Sequence, residues 1–139
     1  MSSTEKRIAI IVDPSLAIGL IANTVATIAV GVGVAEPAFG NVTLTDVAGR
    51  SVKNSADRPV AILQAPAEAI QATLLRSLPA PEGGIVVPFP QFARGLHAFP
   101  EYQAQFATRD LATETIDGLG LAGPEGWVRS LTGSLRLLR

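Results

Sequence analysis

Cysteine is missing from this chain altogether, and histidine occurs once, as His97. Disulfides, thiolate nucleophiles and cysteine-based zinc or iron–sulfur sites are therefore excluded. With a single histidine a zinc site would need at least two carboxylates as well, and the sequence shows no clustered pair. No metal and no cofactor is expected. An excess of either charge is missing too: eleven basic residues stand against twelve acidic ones, with no block of like sign. Nucleic-acid binders present a basic face because phosphate contacts supply much of their affinity. Arg129, Arg136 and Arg139 gather near the C-terminus, but they read as a solvated end, so nucleic acid is not an expected partner. Gly-x-Gly-x-x-Gly, Walker and nucleophile-elbow motifs are also absent.

The most informative gap is local. From Pro14 to Ala35 the chain carries no charged residue. Twenty-two such residues could span a bilayer, but Pro14, Gly19, Asn23, Thr24, Thr27, Gly31 and Gly33 dilute the run. A signal peptide is the closer rival, since Lys6 and Arg7 precede it and small residues close it near Ala35. Asp13-Pro14 interrupts that pattern, however, and "RIAIIV" before it is a strand in its own right. The expectation is a soluble domain without a membrane association, and the lack of cysteine suits the cytoplasm.

What is present is enough for one core. At 139 residues with 47% hydrophobic and 17% charged content, the chain reads as one globular domain, residues 1–139, with residues 1–6 a flexible lead. Arg7 to Val12 is a buried strand stopped by Asp-Pro. Ser15 is the expected N-cap of a helix from Leu16 to about Val32, with Ile18, Ile21, Val25, Ile28 and Val32 on one stripe and Gly31 and Gly33 as its stop. A small hairpin turning at Asp46–Gly49 follows. Next come a strand at Arg58–Gln64, a helix opened by Pro66, a strand in "GGIVVPF" and two helical pieces broken by Pro100. A strand in "GLGLAG", a helix from Pro124 and a closing strand in "SLRLLR" complete the chain. Strands alternating with helices indicate a single three-layer α/β/α domain with a small mixed sheet.

Two segments carry a resemblance. "GPEGWVRSLTGSLRLL" (123–138) resembles the closing signature of type 2 peptidyl-tRNA hydrolases, and the opening strand–turn–helix resembles that family's start. More closely, "DPSLAIGLIAN", "HAFPEYQAQF" and "LTGSLRLLR" together are similar to an uncharacterised bacterial family, domain of unknown function 2000. That resemblance covers nearly the whole chain and implies the hydrolase's fold. The hydrolase's chemistry does not come with it. Its three motif lysines fall on Ser15, Ile18 and Leu20, its acidic segment is replaced by "VPFPQFARG", and its tail histidine is Ser134. Peptidyl-tRNA hydrolysis is not expected.

The remaining candidates are few. Asp13 stands at the C-terminal end of the first strand, where open α/β sheets place carboxylates that bind or react, and it is equally a turn residue. His97, close to Glu101, could form an acid–base pair, or be a lone loop histidine. These two are the candidate catalytic residues. Ser15, Gly19, Asn23, Thr24 and Thr27 could line a ligand cleft above the first strand, or simply bond to backbone as mid-helix Thr often does. A surface helix normally shows Lys or Glu outward, so a charge-free one is expected to be covered, by its own domain or by another copy in a homo-oligomer. A small-molecule-binding or regulatory protein is the leading reading. The alternatives are a hydrolase or transferase working at the first strand, and an RNA-associated protein.

Overall fold

The computed structural model describes residues 5–139. Of the expected flexible lead, residues 1–4 lie outside that range, and Lys6 already begins the first strand. A five-stranded sheet runs in the order β5-β6-β1-β4-β7, formed by Ile85–Pro90, Ile116–Pro124, Lys6–Val12, Val60–Gln64 and Arg136–Leu137. β1 pairs parallel with β4; β6 runs antiparallel to both β1 and β5, and β7 antiparallel to β4. The sheet is therefore mixed, as the sequence implies.

Helices cover both faces. Alternation along β1 divides the core: Ile8 and Ile10 meet Ile28 and Val32 of α1 (Ile18–Ala35), while Ala9 and Ile11 face the opposite side. There they meet Ile70 and Leu74 of α2 (Ala67–Arg76) and Val128 and Leu131 of α4 (Glu125–Thr132). A strand buried on both faces needs the unbroken apolar run that "RIAIIV" supplies.

β6 sets the distance of α1 from the sheet. Leu119 and Leu121 point to the α2/α4 side, leaving Gly118 and Gly120 on the α1 side. A Cβ on Gly118 would lie 2.6 Å from Thr24 Cγ2, and one on Gly120 would collide with Ile28 Cγ2. The two glycines form a trough into which Thr24 and Ile28 sink.

α1 corrects several expectations. It begins at Ile18, not Leu16, and its N-cap is Ala17, without a side-chain cap. Ser15 instead closes a turn on Asp13. The helix continues through Gly31 and Gly33 to Ala35; Gly31 is a close-packing position, where a Cβ would lie 3.2 Å from Val87 Cγ1. Its buried residues are Thr24, Ile28 and Val32, while Ile18 is 81% exposed. Among the described residues nothing covers the outer ridge. By length and composition α1 could cross a membrane, yet its inner face is packed on the sheet.

A hairpin of β2 (Thr43–Thr45) and β3 (Ser51–Lys53) turns at Asp46–Gly49, where Gly49 takes φ +86°. Pro100 does not break a helix. It occupies the first turn of α3 (Phe99–Phe106), where its missing N–H has no consequence.

Candidate ligand-binding site

The polar residues named from the sequence do not share one cleft. At the C-terminal end of β1, Asp13 Oδ1 accepts hydrogen bonds from the Ser15 amide (2.9 Å) and the Ser15 hydroxyl (2.7 Å). Asp13 and Ser15 line an open groove of about 500 Å³ with Gln64, Glu68, Ser134 and Arg136. The Asp13 amide donates to the Asp117 carbonyl at 3.1 Å, which brings the start of β6 alongside.

Asp117 has no place in the sequence reading. Its side chain is buried and accepts Arg94 Nε at 2.6 Å and Nη2 at 2.8 Å, a bidentate pair. These bonds to Asp117 raise the Arg94 pKa above its ordinary value despite partial burial, and the charge of Asp13 adds to the effect. Arg94 belongs to a 3-10 turn, Gln91–Gly95, between β5 and α3. The ion pair thus ties that turn to β6, an inner strand of the sheet. An acidic residue directly before "GLGLAG" and an arginine inside "QFARG" were the only signals, and neither spacing nor periodicity links them.

The larger groove lies elsewhere. It runs over β5 between α1 and α3 and measures about 680 Å³. Its walls include Gly31, Val87, Phe89, Leu96, Phe99, Tyr102 and Phe106. Behind them the rings form one cluster: Phe92 and Tyr102 stack at 5.6 Å, Tyr102 and Phe106 meet edge-on at 5.8 Å, and Arg109 lies 4.1 Å over the Phe92 ring. Phe99 stands at the lip, 66% exposed, 6.4 Å from Tyr102. Burial raises the Tyr102 pKa, so the phenol stays protonated at neutral pH.

Of the sequence candidates, Thr27 and His97 line this second groove. The Thr27 hydroxyl donates to the Asn23 carbonyl (2.9 Å) and is 3.2 Å from that of Thr24, the back-bonding expected of mid-helix threonine. Thr24 is buried in the glycine trough and lines no cleft. Asn23 and Gly19 are exposed and border neither groove. The expected polar stripe above β1 is therefore split three ways by the helix's rotation. His97 is exposed beside the aromatic groove, while Asp13 is in the β1 groove, so the two candidate catalytic residues belong to different sites. Among the described residues no three His, Cys, Asp or Glu side chains gather as metal ligands.

With this geometry in place, the family can be stated. The model of the family "Protein of unknown function (DUF2000)" matches residues 6–139. The chain belongs to the DUF2000 family. No curated protein matches it in sequence. Among solved structures it is similar to the protein of unknown function Atu0240 from Agrobacterium tumefaciens strain C58. The likeness has a TM-score of 0.85 at 18% identity, over 95% of this chain and 96% of that one. At that identity the two share a fold; the likeness of this DUF2000 chain carries no function with it.

Proposed function

We propose that this protein binds a small, uncharged ligand, largely apolar and bearing an aromatic or planar part, in the groove between α1 and α3. One observation carries the reading: the 680 Å³ groove offers partly exposed Phe99, Tyr102 and Phe106 with no charged side chain in its lining. Ligand sites of this size are apolar with a few polar groups that set orientation, and Thr27, His97 and the Tyr102 phenol are available for that. The ligand reading also agrees with the use of charge elsewhere, since six of the eleven basic side chains engage carboxylates.

A second reading, a hydrolase or transferase at the end of β1, is favoured by the meeting of Asp13, Arg94 and Asp117 there. Asp13 is engaged there by Ser15 and the adjoining Asp117 by Arg94, whereas Glu68 makes no side-chain hydrogen bond or ion pair among the described residues. The resemblance to type 2 peptidyl-tRNA hydrolases supports a related fold, and with Ser15, Ile18 and Leu20 at its lysine positions it lends that family's reaction no support.

A thermal-shift panel of neutral aromatic, aliphatic and charged metabolites tests the proposal. A ligand present at a hundred times its dissociation constant adds about 2.7 kcal/mol to stability. The expected hits are neutral and planar; stabilisation by charged compounds alone would contradict the groove assignment.

A further inference from the structure

Among the described residues, seven of the eleven large apolar side chains that are exposed lie on just two features, α1 and the β2–β3 hairpin. On α1, Ile18, Val30 and Val34 are 81%, 66% and 74% exposed; Val30 also borders the groove over β5, and the exposed residues between them are uncharged and mostly small, Gly19, Ala22 and Ala26 with Asn23. The hairpin is two-faced. Leu44 pairs with Val52 across the strands and, with Val42, makes an apolar face. The other face is polar: Thr45 and Ser51 share a 2.9 Å hydrogen bond, and Lys53 Nζ donates to Thr43. Every residue of the hairpin is nevertheless exposed. A lone two-stranded hairpin is marginal in water and needs a surface to pack on. The two features adjoin, since Ala29 and Gly33 of α1 border the same cleft as Asn54–Ala56 at the hairpin's base.

We propose that the outer ridge of α1 and the apolar face of the hairpin are the interface of a twofold homodimer. The occupant is a second copy of this chain. Six of the side chains, Ile18, Val30, Val34, Val42, Leu44 and Val52, leave about 400 Å² of apolar surface per copy, at roughly 100 Å² for each when fully exposed. The small residues of the ridge extend it, so two copies together reach the ~1,000 Å² that separates a specific interface from incidental contact. Small residues also let two helices approach closely, since side chains at the crossing set the interaxial distance. Under the proposal a twofold axis pairs each feature with its own copy or with the other feature of the partner, and neither surface demands a charged counterpart. A bilayer surface fits less well: interfacial helices carry Lys or Arg on a polar face, whereas α1 has none and is flanked by Asp13 and Glu36.

The absence of cysteine makes the test clean. Ala26, at the middle of α1, is exposed, and under the proposal it lies close to its own copy. Ala26→Cys should form a covalent dimer on mild oxidation, whereas Glu82→Cys, exposed on the loop before β5, should not. Sedimentation equilibrium of the unaltered chain at micromolar concentration should give twice the 14.4 kDa chain mass. Val34→Lys should return it to one chain mass with an unchanged far-ultraviolet circular dichroism spectrum. A single-chain mass for the unaltered protein would overturn the proposal. So would a dimer that survives Val34→Lys, cross-linking no faster at Ala26 than at Glu82, or a monomer that sediments with anionic vesicles.

Discussion

The groove at the end of β1 and the groove over β5 sit on one sheet but are built by opposite rules. The first is polar, lies where α/β sheets conventionally bind ligands, and its central carboxylate is engaged by Ser15, with the Arg94–Asp117 pair alongside. The second is apolar, off the strand ends, and its rings remain partly uncovered. Position alone favours the first groove, and unsatisfied surface favours the second. In this protein the surface left without a partner is the stronger argument, because exposed aromatic area has a standing free-energy cost that a ligand removes.

The 3-10 turn at Gln91–Gly95 belongs to both regions, so the sharpest way to break the contrast is to release it. Arg94→Met leaves the buried Asp117 carboxylate without its counter-charge, which costs about 3 kcal/mol where one partner of a buried pair is removed. Denaturant unfolding followed through Trp127, the only tryptophan, should show that loss. Ligand affinity at the aromatic groove should fall as well, since Leu96 and His97 are carried by the same segment. A loss of stability without any change in affinity would show that the two regions are independent.

Gly120→Ala acts on one region only. The added methyl meets Ile28 and lifts α1 from the sheet, an overpacking effect of about 2 kcal/mol. The same unfolding measurement checks it. The aromatic groove should lose affinity, while the Asp13–Ser15 turn should keep its amide resonances in place.

The smallest expected effect is a titration. Tyr102 is the only tyrosine, so absorbance of the phenolate reports one residue. Burial raises its pKa, so the unfolded chain ionises first, near the ordinary value of about 10. The phenol's contribution to stability is full below that pH and is lost as pH rises through the folded value. The midpoint should lie above that of a model phenol, rise further with bound ligand, and be insensitive to Asp13→Asn.

The sequence showed the sheet better than the sites. "RIAIIV" and "GLGLAG" were legible as strands because runs buried on two faces contain little else, and the Asp46–Gly49 turn was legible from its residue types. α1 was harder, since a helix without charges has no polar face to mark its rotation. That is why Thr24 looked like a cleft residue when it packs on Gly118, and why Gly31 and Gly33 looked like a stop. That Leu96, Tyr102 and Phe106 wall a groove depends on how far α3 lies from α1, a tertiary distance with no periodicity. The Arg94–Asp117 pair spans two elements and left no local pattern.

The central claim, that ligand occupies the aromatic groove, is tested most directly by one comparison of binding constants. The best stabilising compound would be titrated into the unaltered protein, Phe99→Ala and Asp13→Asn. Phe99 is exposed at the lip, so its truncation should spare the fold, and losing its stacking should weaken binding about tenfold, or ~1.4 kcal/mol. Asp13→Asn should bind as the unaltered protein does. Unchanged binding in Phe99→Ala together with loss in Asp13→Asn would contradict the account and move the site to the end of β1.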